Sequence, residues 1–195
     1  MSDTYKNKYR IASARMQQWD YRWAAAYFIT ICTHNREHYF GHIENGIMHL
    51  SPIGVIADVL WYEIKHHAHN VELDAFVVMP NHIHGILILK GGNTDNNGTI
   101  VGTGHAVETG HALSLTPQPP TNIGHNRFQH IGKNSVSSII GSYKSAITKH
   151  AHRLGYTFEW QTRFYDNIIR DNQSFDRIQS YIINNPLKWG DDKFH

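Results

Sequence analysis

Two histidines one residue apart, His82-Ile83-His84, are the sharpest chemical feature of this chain. In an extended segment alternate side chains face the same way, so both imidazoles can converge on one point while Ile83 packs behind them. Neutral imidazole binds divalent metals well. Two such ligands leave room for a third protein donor and for substrate oxygens, which is what a catalytic rather than a structural site needs. The alternative is a pair of surface or hydrogen-bonded histidines in a chain that has 16. A histidine-triad hydrolase would carry a third histidine two residues on, where Ile86 stands instead.

A second candidate is Tyr181 in the stretch Tyr181-Ile182-Ile183-Asn184-Asn185-Pro186. Tyr181 and Asn185 share one face if the segment is helical, presenting a phenolic oxygen and an amide oxygen together. A phenol can act as a nucleophile, but with a pKa near 10 it needs help from a metal or a base. The alternative reading is a tyrosine at the edge of the apolar stripe Phe175, Ile178, Ile182. Pro186 also biases Asn185 away from helical angles. Tyr143, by contrast, lies on an apolar stripe of its own and reads as core.

A third feature is charge. Arg127, Lys133, Lys144, Lys149 and Arg153 fall in a stretch without Asp or Glu, a candidate phosphate track. In the N-terminal arm, residues 1–22, Lys6, Lys8, Arg10, Arg15 and Arg22 alternate with Tyr5, Tyr9, Trp19 and Tyr21. Cations among rings suit a single strand, whose bases stack while its phosphates meet positive charge. A solvated helix face and a loose terminus explain the same residues.

The elements that must position these groups follow from periodicity. Tyr27 to Thr33 reads as a strand, with a short second one near residues 39–44. Ser51-Pro52 opens a helix that keeps its stripe to about His67. Val71 to Met79 and His82 to Leu89 form a hairpin around Pro80-Asn81. Val136 to Arg153 is an amphipathic helix ended by Gly155. Residues 158–170 read as extended, and Ser174 begins a last helix stopped by Pro186. Residues 91–126 are rich in Gly, Thr, Asn and Pro and repeat VGTGHAV as VETGHAL, which reads as a flexible insertion. Its histidines, His105, His111 and His125, lie in a Gly-rich stretch with no fixed geometry for a metal. Hairpins among helices without serial βαβ repetition indicate an α+β fold, a ferredoxin-like sandwich with a central antiparallel sheet and helices packed on it.

Composition bounds the rest. At 195 residues with 41% hydrophobic and 17% charged residues, the chain can bury a core as a single domain, residues 1–195. Cys32, the one cysteine, excludes an internal disulfide framework and CxxC sites, and suits a cytoplasmic location. No apolar run approaches the ~18 residues of a membrane span. The net charge of +2 says little, since local patches matter more.

The combination of MPNHIHGILIL on a hairpin, SIIGSYKSAITK on a helix, and WQTRFYDNIIRDNQSFDRIQSYIINNPLKW near the end resembles the single-tyrosine HUH transposases, specifically the REP-associated tyrosine transposase branch and its insertion-sequence relatives. The resemblance spans roughly residues 20–190 apart from the insertion. The His-hydrophobic-His signature falls on His82, Ile83 and His84, and the family's nucleophile, in a YIxxNP stretch, falls on Tyr181. It implies binding of single-stranded or hairpin DNA, Mg²⁺ or Mn²⁺ held by the two histidines with Asn185 as a third ligand, and attack by Tyr181 to form a 5′-phosphotyrosine bond that can be rejoined to a new end. Two departures stand out. Insertion-sequence relatives carry Gln where Asn185 stands one methylene shorter, and many relatives carry His at the position of Asn167. Family members differ in whether the tyrosine is donated across a homodimer interface. Two rival functions stay open: a domesticated, inactive binder of structured single-stranded DNA, and an RNA-binding module on the same kind of sheet.

Overall fold

The computed structural model describes residues 21–90, 93–94, 100–101, 135–192 and 194. The chain runs through β1 (Ala25–Cys32), β2 (Gly41–Glu44), β3 (Ile47–Leu50), α1 (Pro52–His67), β4 (Val71–Val78), β5 (His82–Leu89), the two-residue strands β6 (Asn93–Thr94) and β7 (Ile100–Val101), α2 (Val136–Arg153), β8 (Tyr165–Ile169) and α3 (Asn172–Asn184). Most of the N-terminal arm and of residues 91–126 lies outside the described residues, as do Arg127 and Lys133.

The main sheet has the order β4-β5-β1-β8, with every neighbouring pair antiparallel. Helices α1 and α2 close the two interleaved β-α-β crossovers, which is the ferredoxin-like arrangement. β1 is buried almost throughout because both of its faces are covered. Tyr27, Ile29 and Ile31 pack with Ile83 and Leu87 against α1 and α2. Ala26 and Ile86 pack with Ile169 and Ile182 on the other face, beneath α3.

Local chemistry sets the helix starts. The Ser51 side chain accepts the Gly54 N–H at 3.1 Å with Pro52 at the first position, and Ser135 caps α2 by accepting the Ser138 N–H. At α3 the capping residue is Asp171, which accepts the Ser174 N–H at 2.7 Å and its hydroxyl at 3.0 Å. The helix therefore starts before Ser174, because a carboxylate three residues upstream outcompetes the serine for the free amides.

Two further elements differ from the sequence expectation. The single strand expected near residues 39–44 is a hairpin, β2 and β3, turned by Asn45-Gly46 with φ of 51° and 75°. Both central residues have positive φ, as the tight turns favoured by Asn-Gly do. Of the extended run expected over residues 158–170, only β8 joins the sheet, and Trp160 makes an isolated bridge to Thr33.

One close approach fixes α1 on the sheet. Trp61 lies flat over Gly85, where a Cβ would stand 2.3 Å from the indole ring. Trp61 is itself held between Phe76, stacked at 4.6 Å, and Tyr143, edge-on at 5.4 Å.

Candidate active site

His82 and His84 lie on the sheet face turned away from α1 and α2, and both are fully buried. Each has a polar neighbour that orients its ring. Asn81 donates from Nδ2 to the Phe194 carbonyl at 2.8 Å, which leaves its Oδ1 as the group facing His82 Nδ1, also at 2.8 Å. An amide oxygen only accepts, so His82 carries its proton on Nδ1 and its lone pair on Nε2. His84 Nδ1 lies 2.9 Å from Thr30 Oγ1, its cross-strand partner in β1. This is the polar position in an otherwise apolar strand.

The third group arrives from α3. Phe175, Ile178 and Ile182 press that helix onto the sheet, as the sequence stripe predicts. Gln179 Nε2 donates to Asp74 Oδ1 at 2.8 Å, at the point where a register shift in β4 pushes Asp74 out of the ladder. Tyr181, one residue from the buried Ile182, projects past the helix edge with its hydroxyl 3.2 Å from His84 Nε2.

The chain then folds back. Asn185 keeps helical angles (φ −59°, ψ −43°) despite the following proline, and a 3-10 turn over Pro186–Asp191 returns Asp192 to the site. Asp192 Oδ2 accepts from the Tyr181 hydroxyl at 3.0 Å and from Asn185 Nδ2 at 2.8 Å. The Phe194 ring closes the site from above, 4.9 Å from the His82 ring and 5.6 Å from that of His84.

With the Tyr181 proton donated to Asp192, its oxygen accepts from His84 Nε2–H, and Thr30 then donates to His84 Nδ1. Burial, then the Asp192 charge and the hydrogen bond to it, push the Tyr181 phenol up to about 12, with Asn185 acting weakly the other way. A phenol in that state is a poor nucleophile. It needs positive charge beside it.

The donor set fits a divalent cation. Ligand atoms of His82, His84 and Asp192 lie within 4.8 Å of one another, so this group could hold a metal ion. Asn185 Oδ1 is buried with no hydrogen-bond partner among the described residues, an orphaned oxygen that a cation would satisfy. Imidazole nitrogens suit transition-metal ions while carboxylate and amide oxygens suit harder ions, so of Mg²⁺ and Mn²⁺ this mixed donor set fits Mn²⁺ better.

The structure thus gathers His82, His84, Tyr181 and Asn185 in one place, and adds Asp192, Thr30 and Asn81, which no spacing in the sequence singles out. Thr30 is the one aliphatic hydroxyl in β1. Asp192 lies far enough past Pro186 that only the return of the chain reveals it. The basic residues behave differently. Lys144, Lys149 and Arg153 lie on α2, across the sheet from the histidines. Lys149 and Arg153 are exposed, whereas Lys144 is half-buried, donating to the Gln161 carbonyl at 2.7 Å beside the Trp160 ring. Tyr143 is core, as its stripe predicts, with its hydroxyl donating to the Ala57 carbonyl at 2.7 Å.

No protein-family model matches the chain. Among solved structures, a REP-associated tyrosine transposase bound to a REP hairpin superposes with a TM-score of 0.54, covering 94% of this chain and 77% of that one at 18% identity. With its antiparallel sheet, crossover helices and α3, the chain has a transposase-like α+β fold. Its sequence is 34% identical over 185 residues to an uncharacterized protein of Haemophilus influenzae, covering 94% of this chain and 92% of that protein. The chain belongs to the same family as that Haemophilus influenzae protein.

Proposed function

We propose that the chain is a metal-dependent single-tyrosine HUH transposase that binds single-stranded or hairpin DNA, cuts it through Tyr181 and rejoins strands. The observation that carries this reading is the 3.2 Å approach of the Tyr181 hydroxyl to His84 Nε2, inside a cluster of metal-type donors. A structural tyrosine at a stripe edge needs no such neighbours.

His82 and His84, with Asn185 and Asp192 supplying oxygen, would hold Mg²⁺ or Mn²⁺. Such an ion would offset charge on the phosphate oxygens and favour the ionised phenol. The chain's own groups do the rest. Tyr181 gives its proton to Asp192 Oδ2, the acceptor already 3.0 Å away. Its oxygen bonds to phosphorus as the bond from phosphorus to the 3′ oxygen breaks, and a proton returns to that oxygen to leave a 3′-hydroxyl. One phosphodiester is replaced by a phosphotyrosyl ester, so a new 3′-hydroxyl can reverse the step without ATP.

The test is an SDS-resistant adduct on end-labelled DNA stem-loops drawn from the flanks of the chain's own gene, with Mn²⁺ or EDTA. The adduct should need metal, vanish with Tyr181→Phe and persist with Tyr143→Phe. A folded, DNA-binding wild type that forms no adduct would leave the binding-only reading, and a strong preference for the matched RNA stem-loop would favour the RNA module.

A further inference from the structure

Beside the histidines a cavity opens on the same face of the sheet, at its β8 edge. Its volume is about 370 Å³, within the range of about 300–1,000 Å³ common to small-molecule sites. It shares Thr30 with the histidine pair, since His84, Thr30 and Tyr165 occupy one cross-strand row. Two strand spacings put the Tyr165 backbone roughly 10 Å from that of His84, within reach of a nucleotide adjoining a phosphate at Tyr181.

The lining has the chemistry of a base site. Phe28 and the buried Phe194 form apolar walls, and Tyr165, a large aromatic 47% exposed at an edge strand, offers an open ring face. Asn167, on the same face of β8 as Tyr165, presents an amide that both donates and accepts. The cation lies at the rim, where the exposed Arg36 guanidinium stands 4.5 Å over the Phe194 ring. Aromatic floor, polar reading edge and rim cation are the three parts that hold a nucleotide by base and phosphate at once.

We propose that this cavity seats one unpaired nucleotide of the DNA strand next to the cleaved phosphate, its base stacked on Tyr165 and read by Asn167, its phosphate against Arg36. The inference rests on the DNA-cleaving function proposed above and adds to it a specificity site.

The experiment uses the full chain and a DNA stem-loop selected from a library with randomised single-stranded tails. Each tail base is then removed in turn by an abasic substitution, and binding and adduct yield are read for wild type, Tyr165→Leu and Tyr165→Phe. In the wild type one abasic position should weaken binding about tenfold, the scale of one lost stacking contact. Tyr165→Leu should lose as much on intact DNA and nothing more on that abasic DNA, and Tyr165→Phe should restore the dependence. A 2-aminopurine at that position should be quenched in the wild type and bright in Tyr165→Leu. If adduct forms but the two losses simply add at every position, the base site is wrong while the cleavage reading survives. If no library member is bound, both fall together.

Discussion

Thr30 Oγ1 and His84 Nδ1, 2.9 Å apart across two strands, form a contact that works in either direction. A hydroxyl donates to the bare nitrogen when His84 carries its proton on Nε2, and accepts from Nδ1–H when Nε2 is freed for a cation. Thr30→Val keeps the shape and removes this freedom. Mn²⁺ affinity by calorimetry should fall about 10–100-fold with melting little changed. Unaltered affinity would show that packing alone orients the ring.

Asn185 and Asp192 compete for the role of oxygen ligand. If Asn185 Oδ1 completes the donor set, Asn185→Ala should weaken Mn²⁺ binding at least as much as Thr30→Val, and Asp192→Ala should weaken it less. The reverse ranking would make the carboxylate the ligand and leave the amide as its support, through the 2.8 Å bond between them.

His82→Ala should lower adduct formation far more than DNA affinity, because backbone contacts to basic groups elsewhere dominate binding. Equal losses in both would argue against a catalytic metal.

Tyr143 makes the fold sensitive to alkali. Burial first, and the Asp58 charge second, raise its phenol well above the ordinary value. A raised folded value means that the stability it confers is intact below the unfolded value of about 10 and is lost as pH climbs past it. Melting temperatures followed upward from neutral pH should fall less steeply for Tyr143→Phe than for wild type. At pH 7 the same substitution should cost about 1 kcal/mol, through the lost bond to Ala57. Parallel pH profiles would count against this assignment.

Gly85→Ala should destabilise by about 1–3 kcal/mol, the cost of overpacking a filled core. Its Cβ would meet the Trp61 ring at 2.3 Å, and Phe76 and Tyr143 leave that ring nowhere to go. Urea unfolding of the single variant against Gly85→Ala combined with Trp61→Leu reads this directly, since the second change should recover part of the loss.

What the sequence discloses here follows the range over which each feature acts. The Ser51 cap, the stripe of α2 and the β4-β5 hairpin are set by neighbours a few residues away, and all three are where periodicity puts them. The β2-β3 ribbon was legible in Asn45-Gly46 but weakened by the short polar strands around it. The α3 cap moved to Asp171 because two capping residues competed within one turn. In the site, His82 and His84 are readable because strand alternation is local. Tyr181 needed the resemblance, since helix pattern alone also accommodates it at a stripe edge. Asp192 was invisible because its place depends on a chain reversal after Pro186, and the Tyr165 cavity because it is made by a register across β5, β1 and β8.

The phenol and every candidate donor around it, His82, His84, Asn185 and Asp192, come from a single copy of the chain. One tyrosine can be esterified to one severed end at a time. In the proposed reaction the number of ends held at once therefore cannot exceed the number of chains present. Moving a segment bounded by two breaks requires either two copies working side by side or one copy that releases the first end before taking the second. On the proposed reading, the count of covalently captured ends per chain would never rise above one, a stoichiometry that follows from a single nucleophile per chain.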